Sequence, residues 1–336
     1  MPRNKQLLFA SRPGGGRGGW ATEDNFRLTE SPLPMPADNQ VLVRNHWLSL
    51  DPYMRGRMDD AKSYAKGAEL GEVMVGGTVG EVLESKSPKF RRGDMVAGAL
   101  GWQEYGVGDA NAFAKIDTSI APASYYLGIL GMPGITAWVG LLDIAQPKEG
   151  ETVVVSAASG AVGSVVGQLA KIRGCRAVGI AGGAVKCAYV TAELGFDACV
   201  DYKAGNLYRD LKAAAPDGFD VCFENVGGEI LDTVLRRMNP FSRITVCGLV
   251  SQYNATEPYA MRNMASVLVN RIRMQGFIVS DRMELWPRAA GELTGWLKSG
   301  RLRYRESIAQ GLEAAPAAFI GMLKGQNFGK QLVKLV

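Results

Sequence analysis

Thr152-Val153-Val154-Val155-Ser156-Ala157-Ala158-Ser159-Gly160-Ala161-Val162-Gly163-Ser164-Val165-Val166-Gly167-Gln168-Leu169-Ala170 contains no charged residue. An uncharged run of that length raises the question of a membrane span. Glycines, serines and Gln168 interrupt it, and its pattern changes half-way from continuous β-branched residues to helical spacing. It therefore reads as strand, turn and buried helix. Ala161, Val162, Val165, Val166, Leu169 and Ala170 recur at the spacing of an amphipathic stripe. The turn between them is Ala158-x-Gly160-x-x-Gly163. At such a strand-to-helix turn the helix N-terminus faces a pyrophosphate. Gly160 would let the backbone approach it, and Gly163 would let helix and strand pack closely. Gly160, Ala161, Val162 and Gly163 are thus candidate cofactor-binding residues. A literal G-x-G-x-x-G, Gly14 to Gly19, has no helix after it in Ala21 to Pro36 and is expected to be a surface loop.

Outward from this unit, strands and helices alternate. Strands are expected at 177–180, 198–200, 220–224, 244–248 and 274–279, and helices at 161–173, 184–194, 207–214, 229–238, 261–269 and 283–298. Alternation of this kind implies an α/β domain with a doubly wound parallel sheet, the Rossmann architecture. Before residue 128 the texture is β-rich, with short apolar runs at 40–45, 73–82 and 95–99 bounded by Gly, Pro or Asp. The segment from Lys330 to Val336 again reads as a strand.

The 336 residues suffice for two domains with sizeable cores, and 47% hydrophobic with 21% charged residues is a soluble globular composition. A net charge of +5 is modest. The basic runs 271–273 and 301–305 alternate with apolar residues as strands do, which leaves little case for nucleic acid. His46 is the only histidine, which excludes any zinc site needing two imidazoles and routes any Ser-His-Asp mechanism through that one residue. It is expected to be structural. Cys175, Cys187, Cys199, Cys222 and Cys247 form no C-x-x-C pair, and an odd number argues against a secreted disulfide framework. With too short an apolar stretch at the N-terminus for a signal peptide, a soluble, cytoplasmic protein without a membrane partner is expected.

The second strand of the alternating region discriminates between cofactors. NAD sites carry an Asp or Glu there for the ribose 2′-hydroxyl, and here no acid occurs between Glu151 and Glu193. The strand ends Ala181-Gly182-Gly183, with Lys186 on the first turn of the next helix. A carboxylate would repel a 2′-phosphate and a lysine would attract it; one charge-assisted contact contributes about 1.5–3 kcal/mol. NADPH is therefore expected over NADH, with Tyr202 as a second phosphate ligand.

Further blocks resemble a known family. Leu50-Asp51-Pro52-Tyr53-Met54-Arg55-Gly56-Arg57-Met58 is similar to a signature of zinc-free medium-chain dehydrogenases/reductases, in the branch of prostaglandin, alkenal double-bond and bacterial curcumin reductases. Gly131 to Ala137 (GMPGITA), Glu224 to Gly228 (ENVGG), Cys247-Gly248 with Ser251 to Asn254, Gln275 to Phe277 and Asn327 to Lys330 resemble further blocks in order. The resemblance implies a GroES-like β-rich catalytic domain from residues 1–127 and 302–336, with a Rossmann NADP-binding domain, 128–301, between. It implies zinc independence, a homodimer, and NADPH (NADP) reduction of the carbon–carbon double bond of an α,β-unsaturated ketone or aldehyde. Carried over by residue, Met132 and Thr136 would sit by the nicotinamide, and Gly182, Lys186 and Tyr202 at the 2′-phosphate. Asn225, Cys247, Gly248, Ser251, Tyr253, Phe277, Ile278, Val279 and Asn327 would complete the cofactor site. Trp138 stands where many members have Tyr, and Gly183 where many have Ser.

Hydride addition to the β-carbon develops negative charge on the carbonyl oxygen, which needs a hydrogen-bond donor. Tyr253 and Tyr53 are the candidate catalytic residues, because a neutral phenol donates without first finding a proton. Tyr253 or water could supply the α-proton. A quinone oxidoreductase of the same superfamily is the alternative enzyme, and a nucleotide-sensing module the alternative outside enzymes. Tyr208-x-x-x-Lys212 resembles the Tyr-Lys pair of short-chain dehydrogenases, but falls too soon after the glycine turn to serve as one.

Overall fold

The computed structural model describes residues 3–336; Met1 and Pro2, at the head of the stretch read for a signal peptide, lie outside the described residues. The first part of the chain forms β1 (Arg3–Phe9), β2 (Phe26–Pro32), β3 (Gln40–Ser49), α1 (Tyr53–Arg57), β4 (Thr78–Ser85), β5 (Met95–Gly98), β6 (Tyr105–Asp109) and β7 (Ala114–Lys115). Next come α2 (Met132–Trp138), β8 (Thr152–Ser156), α3 (Gly163–Ile172), β9 (Arg176–Ala181), α4 (Ala184–Ala192), β10 (Ala198–Asp201) and α5 (Leu207–Ala214). They are followed by β11 (Phe219–Glu224), α6 (Gly228–Leu235), β12 (Met238–Val246), α7 (Ala265–Val269), β13 (Arg273–Gly276) and α8 (Trp286–Lys298). The remaining segment forms β14 (Glu306–Gln310), α9 (Ala315–Leu323) and β15 (Lys330–Lys334). Two compact units result, Met1–Gly128 with Glu306–Val336, and Ile129–Arg305.

The Ile129–Arg305 unit holds a six-stranded parallel sheet in the order β10-β9-β8-β11-β12-β13. Val154 on β8 joins a buried cluster with Val178, Ile180, Leu211, Phe219, Ile230 and Val234. Val153 and Val155 alternate to the opposite face and are equally buried, so the sheet is covered on both sides. Continuous β-branched runs are the sequence form of such strands. Strand order reverses between β8 and β11, and a sheet of this class opens its ligand crevice at the carboxyl ends of the strands flanking that reversal.

The other unit pairs β1 with β2 antiparallel, and builds a sheet in the order β14-β15-β3-β4-β5-β7, with β6 also on β3. Its core joins Leu48, Leu50, Met54, Met74 and Trp102 with Leu312, Phe319 and Val333 from the 306–336 segment. Phe26 stacks on Trp102 at 4.9 Å, and the Phe319 ring meets Trp102 edge-on at 5.6 Å.

Several spans differ from expectation. The 73–82 run is a strand only from Thr78; residues 74 and 102 are already joined by Met74–Leu7 and Trp102–Met74 backbone hydrogen bonds, and Gly76 crosses closely over Leu48 and the Trp102 ring. The 301–305 run is not a strand. Its backbone is held instead by the Gln168 amide of α3, which accepts from Arg303 N–H at 2.7 Å and donates to its carbonyl at 3.0 Å. The helix expected from residue 283 starts at Trp286 with a proline in its first turn, after a 3₁₀ segment from Val279 to Leu285. The glycine loop 14–19 is a loop, but not a free one. Fully buried Arg55 donates to the Gly18 carbonyl at 2.6 Å and the Gly19 carbonyl at 2.8 Å, and pairs with Asp59 at 2.8 Å. Nor are all the cysteines apart: α4 and β10 bring the Cys187 and Cys199 sulfurs to 3.1 Å, both as free thiols.

Candidate active site

The β8–α3 turn forms as its glycines require. A Cβ on Gly163 would lie 2.3 Å from the Ala157 carbonyl oxygen, so only glycine lets α3 start this close to the strand end. Ser164 N–H donates to the Gly160 carbonyl, so helical bonding begins inside the motif. Gly160, Ala161 and Val162 are half-buried, leaving the turn accessible.

Three strand ends meet next to this turn. Glu224, at the end of β11, is fully buried, and its Oε1 accepts from Ser156 Oγ at 2.8 Å, Val226 N–H at 2.5 Å and Gly227 N–H at 2.7 Å. Ser156 Oγ accepts in turn from Asn225 N–H at 2.8 Å, while the Asn225 amide donates to the Ser156 carbonyl at 2.8 Å. Beyond β12, Cys247 and Gly248 donate to the Glu224 carbonyl, Val250 donates to that of Asn225, and Ser251 Oγ donates to that of Val226 at 2.7 Å. Half-buried Tyr253 sets its hydroxyl by this segment, accepting from Leu249 N–H at 3.4 Å. The structure thus brings together Asn225, Cys247, Gly248, Ser251 and Tyr253 at the carboxyl ends of β8, β11 and β12.

A second group gathers at the end of β9. A Cβ on Gly182 would sit 2.9 Å from the Tyr202 ring and 3.0 Å from Lys203 Cε, so the backbone here lies directly under both side chains. Lys186 stands in the first turn of α4. Burial, and after it the charge of Lys203, lowers its pKa below the usual lysine value. Asp201 is nearby, with Oδ1 accepting the backbone N–H groups of Gly183 and Lys203. Lys203 joins this group without a motif to mark it; its place directly after Tyr202 is its one signal in the sequence.

The remaining candidates lie on other elements of the two units. Met132 and Thr136 lie one turn apart on α2, with the Thr136 hydroxyl 3.7 Å from the Met132 sulfur. Phe277 packs edge-on to Phe223, Ile278 follows it, and Val279 opens the 3₁₀ segment. In the other unit, Tyr53 begins α1, and burial, then the Asp51 charge, raises its phenol pKa above the ordinary value. Asn327 donates to the Gly329 carbonyl at 2.8 Å. Trp138 is buried, its indole N–H donating to Glu292 at 3.0 Å, a packing role between α2 and α8. Tyr208 lies on α5 with the Arg236 guanidinium 3.8 Å over its ring. His46 is on β3, with Nε2 4.0 Å from Glu81. Among the described residues no three His, Cys, Asp or Glu side chains group as a metal site, and no helix is long and apolar enough to cross a membrane.

Residues 5–116 match the family model described as the N-terminal domain of oxidoreductase, and residues 161–294 match that of zinc-binding dehydrogenase. The chain is 49% identical to the NADPH-dependent curcumin reductase of Escherichia coli, over 99% of this chain and 97% of that one. The chain belongs to the medium-chain dehydrogenase/reductase family. Within that family it is also 46% identical to the NADP⁺-dependent 2-alkenal reductase of Nicotiana tabacum, over 88% of this chain and 87% of the relative. The crystal structure of CurA from Vibrio vulnificus in complex with NADPH superposes with a TM-score of 0.93 at 48% identity, covering 99% of both chains. The family assignment agrees with the two-unit chain and with a parallel sheet that reverses order next to the glycine turn.

Proposed function

We propose that this chain is an NADPH-dependent reductase of the carbon–carbon double bond of α,β-unsaturated ketones and aldehydes, acting without zinc. The observation that carries the cofactor half is the end of β9. Gly182 lies under Tyr202 and Lys203, Lys186 in the first turn of α4 is close enough to feel the charge of Lys203, and Asp201 Oδ1 accepts the backbone N–H groups of Gly183 and Lys203. Two ammonium groups and a phenol would cradle a 2′-phosphate, and the glycine turn would suit a pyrophosphate. The relatives named for curcumin and 2-alkenal reduction support the substrate class. A single histidine and no three-ligand cluster among the described residues support zinc independence.

Bound NADPH would supply a hydride for the β-carbon, and Tyr253 or water would supply the proton that completes the α-carbon. The chain's own residues bind, orient and stabilise. Gly160 to Gly163 would hold the pyrophosphate, with Gly182, Lys186, Lys203 and Tyr202 at the 2′-phosphate. Asn225, Cys247, Gly248 and Ser251 would fix the ribose and nicotinamide side, with Met132, Thr136, Phe277, Ile278 and Val279 walling it. Tyr253 would donate its hydroxyl proton in a hydrogen bond to the developing enolate oxygen. The assignments of Tyr53 to the carbonyl and Asn327 to the nicotinamide rest on the family resemblance alone. The units Met1–Gly128 with Glu306–Val336 and Ile129–Arg305 would serve as catalytic and cofactor domains.

The working form we propose is a homodimer. Strand β13 is an edge of the parallel sheet, and next to it Leu268 and Val269 on α7 are 81% and 64% exposed, with Met264 and Met274 also exposed. A second copy adding its own edge strand would cover them. Five free thiols fit the cytoplasm.

The experiment is NADPH oxidation, followed by absorbance, with an alkenone and with a para-quinone. Turnover of the alkenone to the saturated ketone is expected. Turnover of the quinone alone would instead establish a quinone oxidoreductase, and no turnover of any enone in a panel would point to a nucleotide sensor.

A further inference from the structure

Glu224 is a fully buried carboxyl group in a strand that is otherwise apolar from Val221 to Phe223, and no step above uses it. Its two oxygens are treated unequally. Oε1 accepts three hydrogen bonds, from Ser156 Oγ, Val226 N–H and Gly227 N–H, at 2.5 to 2.8 Å. Oε2 meets the Cys222 thiol at 3.8 Å. Oε1 is therefore an anchor, binding the end of β8 to the start of the turn after β11.

That anchor propagates. With Val226 and Gly227 fixed, the Val226 carbonyl receives both the N–H and the hydroxyl of Ser251, at 3.0 and 2.7 Å. The Asn225 carbonyl receives Val250 N–H at 3.1 Å, and the Glu224 carbonyl receives Cys247 and Gly248 N–H. Ser156 Oγ, donating to Glu224, is oriented to accept Asn225 N–H at 2.8 Å.

We propose that Glu224 is a positioning residue for the cofactor, whose Oε1 acceptor, rather than a charge, holds Asn225 and the Cys247–Ser251 segment in binding geometry. The proposal rests on the reading that these segments hold NADPH. A carboxyl group whose role is to accept hydrogen bonds needs no ionised form. Burial raises the pKa of Glu224 above the ordinary carboxylate value, against the opposing pull of the Gly227, Val226 and Ser156 hydrogen bonds. Glutamine keeps the acceptor oxygen and the shape while removing the charge; alanine removes all three.

The test is the NADPH dissociation constant of the purified chain, by nicotinamide fluorescence, for Glu224→Gln, Glu224→Ala, Ser156→Ala and Asn225→Ala, with circular dichroism to confirm folding. Glu224→Gln is expected within about threefold of the parent, and Glu224→Ala at least tenfold weaker. Ser156→Ala, which removes one donor without emptying the carboxyl's space, is expected about fivefold weaker, and decides the matter if the alanine variant does not fold. Glutamine as weak as alanine, or Ser156→Ala and Glu224→Ala both within twofold of the parent, overturns the proposal. Asn225→Ala separates the two layers. If it leaves the constant unchanged, the placement of the cofactor at this turn is wrong. If it weakens binding while Glu224→Ala does not, only the role of Glu224 falls.

Discussion

The Lys330 ammonium donates to Asp51 Oδ1 at 2.7 Å and to the Leu50 carbonyl at 2.7 Å, with both side chains out of water. Strand β15 is thereby tied to the turn that presents Tyr53, within one unit. Breaking a buried pair from one side leaves an uncompensated charge, which costs about 3–5 kcal/mol. Lys330→Met is expected to lower the unfolding free energy by that amount, since the Ser49 hydroxyl is then the remaining partner of Asp51. Urea unfolding followed by tryptophan fluorescence measures it; an unshifted midpoint would contradict the pair's importance.

On the proposed reading, cofactor choice depends on the end of β9. Lys186→Ala is expected to weaken NADPH binding roughly ten- to a hundredfold while leaving NADH nearly unchanged. Lys203→Ala, at a more exposed site, should shift the same ratio by about threefold. Titration of each variant with both dinucleotides checks this. Loss of NADH and NADPH affinity in equal measure would mean that neither lysine reads the phosphate.

Gly163→Ala places a methyl group 2.3 Å from the Ala157 carbonyl oxygen, whereas at Gly160 the same oxygen would be 3.2 Å away. The first substitution is expected to destabilise by about 1–3 kcal/mol through overpacking and the second by clearly less. Equal unfolding midpoints for the two variants would refute the close-packing role of Gly163.

Tyr253→Phe removes the proposed donor to the enolate oxygen. A drop in kcat/KM of roughly a hundredfold is expected, with the NADPH dissociation constant unchanged. Should the loss appear in cofactor binding instead, Tyr253 supports the ribose and another group stabilises the oxygen.

Acidification should act on His46. Burial lowers its folded pKa below 6.5, outweighing the opposing Glu81 charge. Between the lowered value and 6.5 the unfolded chain binds more protons, so stability rises with pH through that window and falls as pH drops through it. His46→Gln should therefore lose less stability than the parent between pH 7.5 and 5.5 in urea titrations. Parallel losses would show that the imidazole is not the titrating group.

Much of the parallel-sheet unit is legible in the sequence because its strands are buried on both faces, and its turns need glycine where backbones touch. Thr152–Ser156 and Leu207–Ala214 fall where periodicity puts them. The close packing at Gly163 and the place of Lys186 in the first turn of α4 are legible for the same reason: each is a local consequence of a strand–turn–helix unit. Long-range partners are not encoded that way. Arg55 binding the Gly18 and Gly19 carbonyls, Gln168 holding Arg303, and Cys187 meeting Cys199 each join residues far apart along the chain, through groups with no periodic signature. Glu224 was visible only as part of a motif, because its partners are mostly backbone N–H groups, which every residue has.

Strand β15 pairs with β14 on one side and β3 on the other, and Val333 and Phe319 lie in the same core as Leu48 and Trp102. On the ribosome that core cannot close until the whole of Ile129–Arg305 has been translated, which at about 5–20 residues per second takes on the order of ten to thirty-five seconds. Throughout that interval β3 lacks its β15 neighbour and Trp102 lacks its Phe319 cover, and the parallel-sheet unit is complete before either arrives. The core of the unit that starts the chain is therefore the last to close during synthesis.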